Sequence, residues 1–345
     1  MKLRALLVLG AALGACVASA CPQVAQPSAT LARVKSSGTL ACGVIQEDAE
    51  YSIEDDHGSR GSFDEDLCKA FAIAAIGQKP VLKVVSFLDS ASATAALRAG
   101  KVDVVASMSA DFSHATTPGM RLSRPVLNDG IGFLVPQAAK IDHVRGLAGK
   151  KVCFLTETNV EVGLRSWFDE QHLDFVPFPF QEEGEMEAAY ITKNCIGLAG
   201  DVTRLVNTRL NFGSLAKEHL LLPEVISRDP LASATRDDDP QWSNVISWVI
   251  EALIAAEEHG VTSSNVSAKV ANPNSPVVEK LLGRTHDFGA ALGLENDWVV
   301  HVLKTTGNYG EIYGRAYGGN SDRALPQDLN QIGSSGALMN SLPLK

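Results

Sequence analysis

The residues best placed to do chemistry stand where apolar, strand-like runs give way to helices. They are Tyr51, Ser107, Ser109, His114, Thr156, Thr158, Asn159 and Asp201. Open α/β sheets bind small ligands at the carboxyl ends of their strands, so polar groups at these junctions share one edge. Thr158–Asn159 opens a helix, and the unpaired N–H groups of a helix start suit a small anion. Asp201 is an acceptor suited to a cationic amine. Taken singly, Thr158, Asp201 and Ser109 are also good helix N-caps. Taken together, four from an early stretch and four from a later one, they describe a cleft between two units.

Other chemistries lack their residues. The eight histidines are scattered, with no HExxH and no His–Cys cluster at ligand spacing, so no metal site is expected. There is no GxSxG, P-loop or GxGxxG, and hence no sign of a hydrolase elbow or of a nucleotide or dinucleotide cofactor. Asp55-Asp56 and Asp237-Asp238-Asp239 lie in turn-like stretches and read as solvated faces. Four cysteines fall in the globular part, Cys42, Cys68, Cys153 and Cys195, none in a CxxC. They allow three pairings. Cys42–Cys68 and Cys153–Cys195 are favoured, because each pair lies within one strand–helix unit on its own side of the chain.

The elements that must position these groups follow an alternating grammar. Thr39–Ile45 reads as a buried strand. Phe63, Leu67, Ala70, Phe71 and Ala74 mark one face of a helix. Val81–Phe87 is a β-branched strand, Asp89 or Ser90 caps a helix running to Arg98, and 102–105 is the next strand, ending at Ala106. The pattern restarts with strands at 152–155, 175–178 and 196–199 and helices at 158–168, 182–193 and 201–210. This β-α-β-α-β order, twice over, predicts an α/β fold of two lobes, each a mostly parallel sheet with flanking helices. Ile131–Pro136 and 225–234 are extended segments able to carry the chain across and back. The last third is mainly helical, with an apolar stripe from Trp242 to Ile254 and a second helix at about 296–306.

The 345 residues carry a net charge of −10, which repels phosphate backbones and anionic headgroups and so argues against a nucleic-acid or membrane-surface partner. The amino terminus has the form of an export leader: Lys2 and Arg4, an apolar run Ala5 to Leu13, and an Ala18-Ser19-Ala20 cleavage site. Leu13-Gly14-Ala15-Cys16 also has the form of a lipobox, so a lipid anchor at Cys16 is an alternative. A Pro/Gln/Ser leash follows the leader.

Several runs make the sequence similar to a known family. They are Leu222-Pro223-Glu224-Val225-Ile226-Ser227, Ala256-Glu257-Glu258-His259-Gly260-Val261-Thr262-Ser263 and Gly307-Asn308-Tyr309-Gly310-Glu311-Ile312-Tyr313, together with a helix entry at Phe63-Asp64. The chain resembles the general L-amino-acid-binding proteins of polar amino-acid ABC transporters, within the type 2 periplasmic binding proteins. The resemblance implies a periplasmic protein whose two lobes close over one small ligand and dock on an inner-membrane permease, with no cofactor. It divides the chain into a signal peptide 1–20, a leash 21–32, a first lobe 33–135 plus 234–345, and a second lobe 136–233.

The resemblance also marks departures. Ser107 and Ser109 match the family's small polar pair, but His114 stands where relatives place the arginine that clamps an α-carboxylate. Thr156-Glu157-Thr158 puts an anion where a Thr-Gly-Thr turn helps hold that carboxylate. Asp201 matches the amine-binding aspartate. A charge-assisted hydrogen bond contributes roughly 1.5–3 kcal/mol, so losing a bidentate pair weakens affinity by about a hundredfold. The expected ligand is therefore an amine-bearing metabolite or amino-acid derivative rather than an ordinary free amino acid. The other readings are an arginine arriving from elsewhere, Arg60 or Arg121, so that amino acids bind as usual; a dehydratase-like enzyme using His114 with Glu157 as its acid–base pair; and a sensory homologue that binds nothing.

Overall fold

The structure, a computed structural model, describes residues 27–45, 63–318, 324–325, 330–332 and 339–344. The leader, Cys16, Tyr51 and Arg60 lie outside the described residues. The chain begins with helix α1 (Ala29–Ser37), then β1 (Thr39–Ile45), α2 (Phe63–Ile76), β2 (Val81–Phe87), α3 (Ser90–Arg98), β3 (Val104–Ser109), a short α4 (Phe112–Ala115) and β4 (Arg121–Asp129). It crosses into β5 (Ile131–Pro136), β6 (Lys151–Leu155), α5 (Asn159–Glu170), β7 (Val176–Phe180), α6 (Glu183–Ile191), β8 (Gly197–Asp201), α7 (Val202–Asn211) and β9 (His219–Leu221). It returns as β10 (Asp229–Thr235) and ends in helices α8 (Pro240–Glu258), α9 (Val266–Ala271), α10 (Pro276–Leu281), α11 (Phe288–Leu292), α12 (Trp298–Thr306) and α13 (Tyr309–Tyr317).

Two five-stranded sheets result, ordered β2-β1-β3-β10-β4 and β7-β6-β8-β5-β9. In each, three strands pair in parallel and the fourth position is antiparallel to both neighbours. That antiparallel strand is the one that has just crossed over, β10 in the first sheet and β5 in the second. Alternate residues pack on opposite faces, as a sheet covered on both sides requires. Val104 and Ala106 enter the large core under the carboxyl-terminal helices, while Val105 joins Ala93, Leu97 and Met120 on the other face. In the second sheet Phe133, Val152 and Phe154 face one core, and Leu134, Cys153 and Leu198 the other.

The crossover segments fall in the sheets as follows: Ile131–Pro136 pairs in the second sheet, and Asp229–Thr235 in the first. The chain thus passes between the two sheets at Gly130 and again between Ser227 and Asp229. The crossings touch: Ile226 N–H donates to Ile131 O at 2.8 Å, and Ile131 N–H to Ser227 Oγ at 2.8 Å. A Cβ on Gly130 would lie 2.5 Å from Ser227 O and from Val225 Cγ1, so only glycine lets the crossings lie this close. Asp129, buried at the end of β4, accepts from Gly130 N–H at 2.8 Å and from the Thr203 hydroxyl of α7. Burial pushes its carboxyl up to about 6, against the pull of those bonds.

The expected leash is shorter than the sequence suggested, because Ala29 to Ala32 are already helical. Leu31 and Val34 enter the core, and one carboxylate fixes the packing: Asp239 takes Ser28 Oγ–H and Thr30 N–H at 2.8 Å while capping α8 through Trp242 N–H at 3.0 Å. The third strand also lies two residues later than expected. Asp103 falls just before it, accepting Ala41 N–H at 2.9 Å with its side chain, while its carbonyl takes the buried indole N–H of Trp242 at 2.8 Å.

Both expected cysteine pairs are present, Cys42–Cys68 and Cys153–Cys195, with Cα atoms 5.9 and 5.8 Å apart. Beyond α13 the tail links the lobes. Leu325 packs with Val202 and Val206 of α7 and with Tyr317. Asn330 then pairs with the backbone of Asn128, its Oδ1 accepting at 2.7 Å and its Nδ2 donating at 2.8 Å. Met339 ends up fully buried in the first-lobe core.

Candidate functional site

On the second lobe, Thr158, Asn159 and Asp201 line one cavity of about 210 Å³ at the carboxyl ends of β6 and β8. Glu183 and Met186 of α6 and Arg204 of α7 complete its polar and soft apolar wall, with Leu155, Leu198 and Leu205 behind. Thr158 is the N-cap of α5, its hydroxyl oxygen accepting Glu161 N–H at 3.4 Å and its hydrogen going to Leu155 O at 2.8 Å. Asp201 occupies the N-cap position of α7 in an extended conformation, but its carboxylate makes no capping bond to that helix. The capping role that residue type suggested is therefore not the one it plays.

The turn before α5 keeps a glycine-like shape without glycine. Glu157 sits at φ 60°, in the left-handed region where a side chain costs roughly 1–2 kcal/mol. The Glu161 carboxylate holds it there, accepting Glu157 N–H at 3.0 Å and the Thr156 hydroxyl at 2.9 Å. Those two bonds, with two more from the Arg165 guanidinium, keep the Glu161 carboxyl below its ordinary range. Thr156 does not line the cavity.

On the first lobe, Ser107 and Ser109 lie within the last residues of β3 rather than after it. Ser107 Oγ donates to the Asp64 carboxylate, 2.7 and 2.8 Å from its two oxygens. Asp64 stands in the first turn of α2, where burial pushes its carboxyl up to about 6 in spite of that bond. His114 lies within the one-turn α4, its ring Nδ1 2.9 Å from Asp111 Oδ2 and its backbone N–H 2.8 Å from Asp111 Oδ1. Burial works against a charged Asp111, but the hydrogen bonds from His114 prevail and hold its carboxyl below the ordinary value. Among the described residues no hydrogen bond joins His114 to Glu157.

One pattern runs through both lobes. The hydroxyls of Ser107, Thr156 and Thr158, the donors a ligand carboxylate would use, all point to acceptors of the chain itself. Asp64, Asp111 and Glu161 are the acceptors and partners that sequence reasoning did not assign. Two left a trace: Asp111 lies three residues before His114, and Glu161 three after Thr158, the spacing of helix-start pairs. Arg204 left a trace too, three residues after Asp201 and so on the same face of α7. Glu183 left none, since only the fold brings α6 to α7. Among the described residues, no group of three or more His, Cys, Asp or Glu could hold a metal ion, and no helix is long and apolar enough to cross a membrane.

Comparison with known proteins adds the following. No protein-family model matches the chain. It is 33% identical over 341 residues to the general L-amino acid-binding periplasmic protein AapJ of Rhizobium johnstonii, covering 98% of this chain and 99% of that one. It is 30% identical over 322 residues to the glutamate/glutamine/aspartate/asparagine-binding protein BztA of Rhodobacter capsulatus, covering 93% and 94%. Among solved structures it is similar to an ABC transporter periplasmic binding protein from Brucella ovis with glutathione bound, at 31% identity and a TM-score of 0.77, over 92% of this chain and 99% of that one. An ancestral cationic amino acid solute binding protein, 22% identical with a TM-score of 0.50 over 64% of this chain and 92% of that one, shares the fold alone.

Proposed function

Because the chain belongs to the amino-acid-binding periplasmic proteins of ABC transporters, with the two-lobed type 2 fold, we propose that it captures a small amine-bearing ligand rather than an ordinary free α-amino acid. Exported by its leader, it delivers that ligand to an inner-membrane permease, and its first lobe comprises residues 33–130 with 229–345. Asp201 binds the ammonium group. Tyr51, Ser109 and His114 contribute from the first lobe and Thr158 with Asn159 from the second. Lobe closure follows because the bound ligand touches both halves only when they meet, so its contacts favour the closed state.

The observation that carries the reading is the engagement of the carboxylate donors. Ser107 donates to Asp64, Thr156 to Glu161, Thr158 to Leu155 O, and the His114 ring faces Asp111. A ligand carboxylate would have to displace those bonds and approach Asp64 and Asp111, two like charges. An ammonium meets the opposite field. Two of the relatives are named for binding amino acids, and a third was solved with glutathione, an amino-acid derivative, bound. They are binding proteins, which agrees with capture rather than turnover.

Calorimetry with the common L-amino acids and a matched set of amines and amino-acid derivatives tests the proposal. The expected result is micromolar binding confined to the amines and derivatives, weakened tenfold or more by Asp201→Asn. Micromolar binding to several free amino acids would overturn it.

A further inference from the structure

We propose that the cavity beside Asp201 recognises the free amino end of a ligand whose neighbouring carboxyl is masked as an amide or peptide carbonyl, with Arg204 donating to that carbonyl oxygen. The inference rests on the reading of Asp201 as the ammonium anchor and extends it to the next functional group along the ligand.

Three facts about the cavity lead there. Asp201 and Arg204 are three residues apart at the start of α7, on one helical face, and both line the cavity. Arg204 Nε lies 2.9 Å from Glu183 Oε1 of α6, with both side chains about three-quarters buried. The cavity wall therefore holds two carboxylates and one guanidinium, a net charge of −1. An ammonium is attracted to such a wall. A free carboxylate entering beside it meets two anions and a cation that Glu183 already balances. A neutral carbonyl takes a hydrogen bond from the guanidinium without that repulsion, and a guanidinium carries five N–H donors, more than one carboxylate can accept. The leucine side chains and Met186 of the lining leave room for an apolar or adaptable side chain on the ligand.

The masked-carboxyl chemistry also explains why the first-lobe departures are compatible with a working pocket. A ligand with an amide in place of its carboxylate has no anion for an arginine at position 114 to clamp.

Calorimetry on the full mature protein tests this with L-leucine, L-leucinamide, L-leucyl-glycine and 3-methylbutylamine, and with the corresponding alanine and glutamine series. The amide and the dipeptide are expected to bind at least tenfold tighter than both the free acid and the bare amine of at least one series. Arg204→Gln removes the amide's advantage over the amine, read as the ratio of their two affinities in the same variant, and Asp201→Asn weakens every member. A free acid binding as tightly as its amide, or Arg204→Gln weakening amine and amide equally, overturns this inference and leaves the ammonium anchor standing. Unchanged affinities in Asp201→Asn, or no binding of any member to the wild-type protein, overturns both. The wild-type ranking needs no variant, so the proposal stays testable if Arg204→Gln fails to fold.

Discussion

Replacing His114 by arginine should give the pocket back its affinity for free amino acids, and the structure says how much and under what condition. The His114 ring lies 2.9 Å from Asp111 Oδ2, so an arginine placed there alone would be drawn to that carboxylate. The two side chains are 24% and 38% exposed, and a pair this open is worth about 0.2–1 kcal/mol, enough to take back up to about fivefold of any gain. Asp111→Asn releases the arginine while its amide oxygen still accepts His114's backbone N–H, the bond that starts α4, since asparagine caps as well as aspartate. In the double variant Asp111→Asn/His114→Arg a ligand carboxylate gains charge-assisted bonds worth roughly 1.5–3 kcal/mol, or about 10- to 150-fold in affinity. Titration calorimetry with free L-leucine, L-alanine and L-glutamine reads the gain, and a thermal melt confirms that the fold is intact. The single variant should show a smaller gain than the double. If the double variant melts like the wild type and gains less than about threefold for every free acid, His114 does not face the ligand and the reasoning fails.

Other consequences are open to direct measurement. Asp64 and Asp129 have folded pKa values near 6, above the unfolded value near 4, so the folded state holds their protons more tightly. Their contribution favours folding at low pH and is lost as pH rises from about 4 to about 6, by an amount on the order of 2–3 kcal/mol each. Comparing melting temperatures from pH 4.5 to 7 should show Asp129→Asn gaining on the wild type as pH rises; parallel curves would contradict the assignment. Removing Cys153–Cys195, with a sequence separation of 42, should cost about 4 kcal/mol, and removing Cys42–Cys68, with a separation of 26, about 3.5 kcal/mol, in the chain-entropy account. Urea titration of the two double-alanine variants checks the size of both losses. Leu325→Ala takes a buried side chain from between the tail and α7, and a loss of roughly 2–5 kcal/mol is expected for such a truncation. Hydrogen exchange should speed up around Val202 and Val206 while α10 is unaffected.

Much of the scaffold could be read from residue patterns, because alternating apolar strands and capped amphipathic helices are local signals. β1 and β2 fall on the expected residues, and Asp89 caps α3 as its type and position suggest. The local cysteine pairing followed from the same units. What escaped was non-local. β4 contains Pro125 and forms because β10 returns to pair with it, and α1 forms because Asp239, some two hundred residues on, takes its free N–H. At the site, residue type identified the polar groups but not their partners. Ser107 looks like a ligand contact until α2 brings Asp64 beside it, and Arg204 gains its meaning only where α6 delivers Glu183. Tyr51 lies outside the described residues.

The return of β10 makes the first sheet depend on chain from both sides of the second, whereas the second sheet is built from one continuous stretch, residues 131–221. Cutting the chain at either crossing would leave one sheet with a gap between a parallel core and an orphaned outer strand, and backbone groups bare on both sides of it. The first lobe is therefore no candidate for production as a single uninterrupted fragment. In the growing chain, the amino-terminal half has to wait for residues beyond 229 before its sheet can close, which ties completion of the nascent first half to synthesis of the whole second one.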